Sequence, residues 1–522
     1  MNNIMTTNMP DTEGEYVLDA PYTWSYFEYQ NPLKMSFIAN LNGFAAPSVI
    51  DDFSYCDLGC GNGVSVNLLA PMFPTGDFHG VDFNAEHIVN ANELATAGGL
   101  SNTTFIDASF GDYADGDPPM FDFLALHGIY SWVSEDVRVQ IRDLIDRTLK
   151  PGGLVYVCYN TLPGWSELIP LWRMMQSYSN AESGTSVERA QKALQTIAAV
   201  RDGGARYFKD NPSASTYLDR LMVRDPNYVA HEFCNQIFEP MYFEDVANGM
   251  KNLGLDFAGT MKTHRNDIDN VLSPDLQTFA DSAANETEAE ARRSLMRNEF
   301  FRRDLYIRDG LRLTPDERNR ALSAYELGAK KQLEPKRKTA SLGRRTLDLQ
   351  SSEVAALRTK MMRGSQTVGQ FIEKAASSDL QAAVNIAIDL VGTEEIQPIM
   401  ETMNHEHLSA SASYKMAHAI NRTCLDQILD GEGRCYLMAP KLGCAYRVGF
   451  MEGRLLKALN GVTFQQAVET VAIEIVEGND PFWEKHGFGA SEKGVARLKR
   501  KANEFFTGKL AALNAGGVIE QA

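Results

Sequence analysis

Three glycines within five residues constrain this chain more than anything else in it. The stretch FSYCDLGCGNGVSVNLL (53–69) sets an apolar run, Phe53 to Cys56 with Leu58, ahead of Gly59, Gly61 and Gly63, and an apolar-periodic segment, Val64, Val66, Leu68 and Leu69, after them. An apolar run, a glycine turn and an amphipathic segment read as strand, tight loop and helix. That is the opening unit of a nucleotide-binding α/β domain.

The pattern downstream repeats the unit. DFHGVDF (77–83), TTFIDASF (103–110), MFDFLALHG (120–128) and LVYVCYN (154–160) are strand-like, and NAEHIVNANELATAGGL (84–100) is helix-like. SEDVRVQIRDLIDRTLKPGG (134–153) opens on a Ser cap, carries apolar residues at 137, 141, 144 and 145, and stops at Pro151-Gly152-Gly153. Strands alternating with helices imply right-handed crossovers and a mostly parallel sheet. Residues 166–227 read as a helical insertion that breaks this rhythm. FEDVANGMKNLGLDFAG (243–259) then reads as helix and strand, and RNEFFRRDLYIRDG (297–310) supplies a last strand. The basic run KKQLEPKRKTASLGRR (330–345) reads as a solvated linker, and the remainder as mostly helical with a short β element at 434–448.

Acidic residues decide which ligand the glycine turn holds. Gly-x-Gly-x-x-Gly favours a dinucleotide; the spacing here is Gly-x-Gly-x-Gly, and a plain strand-to-helix turn is the bland alternative. Asp57 ends the first strand, where it can face a cationic amino group. Asp82 ends the second, where a carboxylate accepts hydrogen bonds from both ribose hydroxyls, a role that NAD sites share. Asp107 follows the third strand, where a dehydrogenase has no equivalent need but where S-adenosylmethionine enzymes contact the adenine amino group. That cofactor carries no phosphates, so the glycines serve close backbone approach and not anion binding.

The motifs DLGCGNG (57–63), GVDFN (80–84), FIDASF (105–110) and LKPGG (149–153) resemble those of class I S-adenosylmethionine-dependent methyltransferases. HGIYSWV (127–133), YNTLPGW (159–165), AHEFCNQIFEPMYFEDVA (230–247) and RNEFFRRDLYIRDG resemble, more narrowly, bacterial methyltransferases with a regulatory domain. That group includes the rickettsial protein lysine methyltransferases acting on an outer-membrane protein. The resemblance is dense from about residue 20 to 315 and thin beyond 380. It implies a Rossmann-like class I α/β fold with S-adenosyl-L-methionine as cofactor. Cofactor contacts are implied for Asp57, Gly59, Cys60 and Gly61, for Asp82 and Phe83, for Asp107 and Ala108, and for His127. The N-terminal YTWSYFEYQNPLK (22–34) is implied to fold over the cofactor, with Tyr22, Tyr26 and Tyr29 as lid residues and Tyr26 in contact. The organisation that follows is a cofactor-binding core with its lid at 1–165 and a helical insertion at 166–227 that could pair two copies in a homodimer. The rest of the core and the regulatory region take 228–315, a linker and helical middle region 316–379, and a mostly helical C-terminal domain 380–522.

Methyl transfer is an in-line displacement, so the protein must align a nucleophile, remove its proton and exclude water. Residues past the carboxyl ends of the fourth and fifth strands would line such a site. Here these are His127, Tyr130, Trp132, Tyr159, Asn160 and Trp165. Core packing is the competing reading for the aromatics, and a satisfied structural histidine for His127. A lysine acceptor, with a reference pKa near ~10.4, must first be deprotonated, and ring faces suit its cation.

The formal charge of −18 disfavours a nucleic-acid partner, whose affinity would come from cationic residues. No DPPY or NPPY follows the fourth strand, which also argues against a base amine. A protein lysine is the preferred acceptor, with a small molecule or glycan second, and a non-catalytic cofactor-binding subunit as the reading from another class. Seven cysteines without a C-x-x-C pair argue against a zinc site, and His405 and His407, one residue apart on a presumed helix, cannot share a face. No run of about 18 apolar residues and no basic-then-apolar leader occurs, so the expectation is a cytoplasmic protein without membrane insertion.

Overall fold

The computed structural model describes residues 17, 19, 24–370, 380–405, 408–427, 434–477 and 481–522. Helix α1 (Pro32–Leu41) leads into β1 (Phe53–Leu58), α2 (Val64–Leu69), β2 (Gly76–Asp82), α3 (Ala85–Gly98) and β3 (Thr103–Asp107). Next come α4 (Phe110–Asp115), β4 (Phe121–Leu126), α5 (Glu135–Thr148) and β5 (Leu149–Asn160). A helical layer follows, α6 (Ile169–Ala181), α7 (Ser186–Asp202), α8 (Arg206–Asp210), α9 (Pro212–Met222) and α10 (Pro226–Phe233). The chain then returns to the sheet through α11 (Phe243–Lys251), β6 (Leu255–Thr260), α12 (Ile268–Val271), α13 (Pro274–Asp281), α14 (Glu286–Met296) and β7 (Phe301–Arg308).

The seven strands lie in the order β3-β2-β1-β4-β5-β7-β6. The first five run parallel, and β7 pairs antiparallel with both β5 and β6. The strand order reverses between β1 and β4, so the cleft for a ligand opens at the carboxyl ends of those strands. Alternation along the strands divides the core. Tyr55, Phe123, Tyr156 and Cys158 face α1 and α2, whereas Leu124, Leu126, Val155, Val157 and Tyr159 face Ile141, Leu144 and Ile145 of α5 and Phe243 and Val246 of α11. Both faces are covered, which is why β4 and β5 read as near-continuous apolar runs.

Three expectations change. Pro151-Gly152-Gly153 does not precede the fifth strand but lies inside it, taken up as a register shift against β4 between Phe121 and Phe123. The helical layer has its own core of Trp165, Leu171, Trp172, Leu194, Leu218 and Phe233, so it runs through α10 and past residue 227. The stretch 330–345 is not a solvated linker: Leu333, Ala340 and Leu342 are buried, and Thr339–Leu342 pairs with Arg345–Asp348 as a hairpin. Its charge misled because the apolar residues between the basic ones are few but all face inward. The region beyond residue 316 shares one continuous apolar core with the α1 and α2 face of the sheet, and its hairpin Arg434–Ala439 and Cys444–Gly449 packs there. Among the described residues no helix is long and apolar enough to cross a membrane.

Candidate functional site

The glycine turn forms as the sequence requires. Gly59, Gly61 and Gly63 have φ of +80°, +53° and +65°, a left-handed region that side-chain-bearing residues rarely enter. The amides of Gly59 and Cys60 donate to Val81 O at 2.8 and 3.0 Å, which folds the turn back over the end of β2. A Cβ at Gly59 would stand 2.7 Å from Ile129 Cδ1.

Asp82 is held beneath this turn. Its Oδ2 accepts from the Gly61 amide at 2.8 Å, and its Oδ1 accepts from the Asn84 amide at 3.0 Å and lies 3.2 Å from His87 Nδ1. Asp57 is buried one strand away, and its Oδ1 accepts from Gln30 Nε2 at 2.8 Å. Burial, with the Asp82 carboxylate nearby, pushes the Asp57 carboxyl up to about 8. Gln30 Oε1 is buried without a hydrogen-bond partner. Two buried carboxylates with no lysine or arginine paired to them among the described residues form a pocket that a cation would satisfy. Asp107 stands opposite Asp82 in the β2–β3 register, exposed at the outer lip with Phe83, and the Ala108 amide donates to Asp82 O at 3.1 Å. These residues therefore fit S-adenosylmethionine, a cationic, phosphate-free molecule with a diol and an adenine.

The N-terminal segment crosses this cleft. Phe27 stacks on His127 with centroids 3.9 Å apart, and its amide donates to Ser65 Oγ. Glu28 pairs with Lys34 and, at 2.6 Å, with Lys330; against the burial that would raise it, these two cations hold its carboxyl down to about 2. Tyr26 is buried, 6.2 Å from the Tyr436 ring of the C-terminal hairpin. Tyr29 lies under Arg303 at 4.7 Å and Lys262 at 5.3 Å. Tyr22 lies outside the described residues, as does His407, while His405 follows a β-bridge at Asn404 and is in no helix. No His, Cys, Asp and Glu cluster among the described residues is arranged to hold a metal.

Beside the cleft opens a cavity of about 660 Å³, lined by Phe27, His127, Trp132, Asn160 and Trp165, by Tyr217, Tyr228 and Glu232 of the helical layer, by Phe300 and Arg303, and by Arg434 of the C-terminal hairpin. Trp165 stacks on Phe300 at 4.6 Å and meets Tyr217 edge-on at 5.8 Å, and its Nε1 donates to Asn160 Oδ1 at 3.0 Å. His127 shares a hydrogen bond with the Tyr156 hydroxyl at 2.9 Å; burial, and then Arg303, push its ring down to about 3, so it is neutral. Arg303 lies against Phe301 at 4.6 Å, with its Nε buried and unpartnered.

Two residues expected here are elsewhere. Tyr159 follows the strand alternation onto the α5 and α11 face and donates its hydroxyl to Asp304 at 2.6 Å. Tyr130 is buried on the same side, and its hydroxyl accepts from Arg142 at 3.1 Å. Both pack in the core, and neither lines the cavity. Phe27, Gln30, Tyr217, Tyr228, Glu232, Phe300, Arg303 and Arg434 were missed. Glu232 and Arg303 do sit in quoted motifs, but Tyr217 and Arg434 carry no local signal, because their place depends on how distant segments fold together.

A buried ion network fixes the walls. Arg302, 1% exposed in its side chain, pairs with Asp304 at 2.8 Å, with Glu290 at 3.0 Å and with Glu299, beneath the Phe243 ring at 4.2 Å. Against burial, Arg302 and Arg297 hold Glu299 down to about 2. The Thr161 amide donates to Phe300 O and the Gly164 amide to Glu299 O at 2.9 Å, and a Cβ at Gly164 would collide with that carbonyl. The network thus sets the loops that present Asn160, Trp165 and Phe300.

A family model described as a methyltransferase domain matches residues 51–211, and one described as a predicted methyltransferase regulatory domain matches 225–308. An uncharacterized protein of Synechocystis sp. is 31% identical over 448 residues, 85% of this chain and 87% of the relative. An uncharacterized protein of Rickettsia prowazekii is 29% identical over 242 residues, 46% of this chain and 43% of that protein. The structure of PKMT2 from Rickettsia typhi in complex with AdoHcy superimposes with a TM-score of 0.72 at 17% identity, over 96% of this chain and all of the other. The chain belongs to the class I S-adenosylmethionine-dependent methyltransferases that carry a methyltransferase regulatory domain.

Proposed function

We propose that this methyltransferase methylates lysine side chains of a protein. The observation that carries the reading is the cavity beside the cofactor cleft, whose Trp165, Tyr217 and Phe300 rings accompany the carboxylate of Glu232. Ring faces and a carboxylate attract a cation, by up to about 2 kcal/mol per ring when water is excluded. Asp57 would face the amino-acid end of S-adenosylmethionine, Asp82 the ribose hydroxyls and Asp107 the adenine. When bound, that cofactor supplies an electrophilic methyl group. The chain's own part is to exclude water with Phe27 and its flanking segment, to hold the acceptor nitrogen between the rings, and to take its proton. The neutral His127, stacked on Phe27, acts as packing at the floor and not as a base. The net charge of −18 draws a basic acceptor and gives an encounter rate that falls as salt rises.

A small-molecule acceptor is the second reading, since about 660 Å³ is within the range of small-ligand sites. The test is incubation with methyl-labelled cofactor and lysine-rich bacterial envelope protein, followed by mass spectrometry of the labelled residue. Label on lysine nitrogen supports the proposal; label confined to a low-molecular-weight fraction overturns it.

A further inference from the structure

α10 is an eight-residue helix with two jobs. It buries Val229, Ala230 and Phe233 in the helical layer, and it turns Tyr228 and Glu232, one helical turn apart, toward the cavity. Trp172 anchors it by donating to Glu232 O at 3.0 Å. The cavity holds two carboxylates, Asp225 and Glu232. Asp225 is occupied, because its Oδ1 caps α10 through the amides of Asn227 at 2.9 Å and Tyr228 at 3.4 Å. Glu232 is different: among the described residues no lysine or arginine pairs with it, and Tyr228 and, less strongly, Arg224 are the groups that act on it. A carboxyl without a cation, facing an aromatic wall and next to a methyl-donor cleft, is complementary to an ammonium group.

We propose that Glu232 receives the acceptor ammonium and takes its proton, which makes α10 of the helical layer part of the catalytic site; this rests on the lysine reading above. The N–H bond of the ammonium breaks, the proton goes to a Glu232 carboxylate oxygen, and the electron pair stays on nitrogen, free to attack the methyl. The proton then leaves to solvent when the product departs. Burial holds the Glu232 carboxyl up to about 7, against the pull of Tyr228 and Arg224, so near neutrality it is poised both to pair with a cation and to accept a proton.

The other groups around the cavity leave few rivals for a titration there. The arginines there are Arg224, Arg303 and Arg434, Asp225 serves as a cap, and burial pushes the Tyr217 and Tyr228 hydroxyls upward. His127 is held neutral, which leaves His231, on the same helix, as the group to control for.

The experiment compares the full-length wild type with Glu232→Gln, Glu232→Asp and His231→Gln. Activity is read as kcat and KM against pH, cofactor affinity by calorimetry, and ammonium binding by ligand-detected NMR with n-butylammonium and, as the uncharged counterpart, n-butanol. The expectation is that Glu232→Gln lowers kcat by about a hundredfold or more and abolishes the acid limb of the pH profile near neutrality. It should lose the preference for n-butylammonium over n-butanol, with cofactor affinity kept within about twofold. Glu232→Asp should keep the limb at reduced kcat, and His231→Gln should keep it unchanged. A wild type that prefers butylammonium while Glu232→Gln prefers it equally overturns the role of Glu232 alone. So does a limb that disappears in His231→Gln, or a Glu232→Asp variant with unaltered kcat. A wild type with no preference for the ammonium overturns the lysine reading and this proposal with it.

Discussion

Asp57, Asp82 and Asp107 reach the cleft at the carboxyl ends of the sheet from one run of chain, at the ends of three adjacent parallel strands. The neighbouring cavity gathers Phe27, His127, Asn160, Glu232, Phe300 and Arg434 from segments scattered over most of the sequence. The cleft is a local device, because each βα turn delivers its own acid and the sheet register aligns them. The cavity is a convergent one: Arg302, buried with Glu290, Glu299 and Asp304, ties α14 and the turn before β7 to that strand, and the Phe300 and Glu299 carbonyls of that turn hold the loop after β5. On the proposed function, cofactor chemistry would sit on the part of the fold that is simplest to specify, and acceptor recognition on the part that needs the whole molecule.

Removing that tie should separate the two most sharply. Arg302→Met leaves the buried Asp304 carboxylate without its cation, while Glu290 and Glu299 keep Arg297, and breaking a buried pair in this way costs about 3–5 kcal/mol. Denaturant unfolding should show a loss of that order, and acceptor KM should rise, while the folded fraction binds S-adenosylmethionine within a few-fold of wild type. Equal loss of cofactor affinity would erase the distinction between the two halves.

The converse substitution is Asp82→Ala. Losing hydrogen bonds to a charged acceptor is worth roughly 1.5–3 kcal/mol, so calorimetry should record cofactor affinity lower by about tenfold to a hundredfold. Ammonium binding in the neighbouring cavity should stay as in wild type. Unchanged cofactor affinity would move Asp82 out of the site.

A subtler effect concerns Asp57. In the free protein its carboxyl, at about 8, holds its proton at neutral pH, and a cationic ligand favours the ionised form. Affinity for S-adenosylmethionine should rise with pH up to about 8 and flatten above it, by at most about tenfold per pH unit, with up to one proton released on binding at pH 7. Calorimetry in buffers of different ionisation enthalpy measures that proton. Asp57→Asn should release none, and a wild type that also releases none would remove the cation-facing role.

The smallest expected effect is at the strap joining the two halves. Lys330→Ala leaves Glu28 with Lys34 alone, and the pair is about one third exposed, so the loss is about 0.5–1 kcal/mol. Turnover should fall a few-fold, with little change in either binding constant. Because Glu28 sits below its unfolded value, its contribution is present above about pH 4.3 and is lost as pH falls toward about 2. A pH titration of stability in which wild type and Lys330→Ala coincide throughout would dismiss the strap.

The sheet was legible because its pattern is local. Apolar runs, the Gly59-x-Gly61-x-Gly63 turn and the acids that follow each strand are readable one unit at a time, and the return of the chain at 243–259 and 297–310 appeared as alternation within single segments. The candidate site was legible only in part. His127, Asn160 and Trp165 were found by their position after strand ends, and by the same rule Tyr130 and Tyr159 were placed where they are not. Strand alternation sends Tyr159 to the opposite face of the sheet, and that parity depends on where the register falls after the bulge at Pro151-Gly152-Gly153.

By itself, then, the sequence determined the parallel-sheet fold, the glycine turn and the acids at three strand ends, since all of these are written in short-range periodicity and in backbone angles that glycine adopts most readily. Tertiary structure decided the rest. It brought Glu232 and Tyr217 of the helical layer opposite Trp165, set Arg434 at the rim, turned the basic stretch 330–345 into a hairpin with a lysine on Glu28, and joined the C-terminal region to the sheet in one core. The physical reason is that burial and ion pairing between segments hundreds of residues apart depend on which surfaces meet, and no local pattern encodes that meeting.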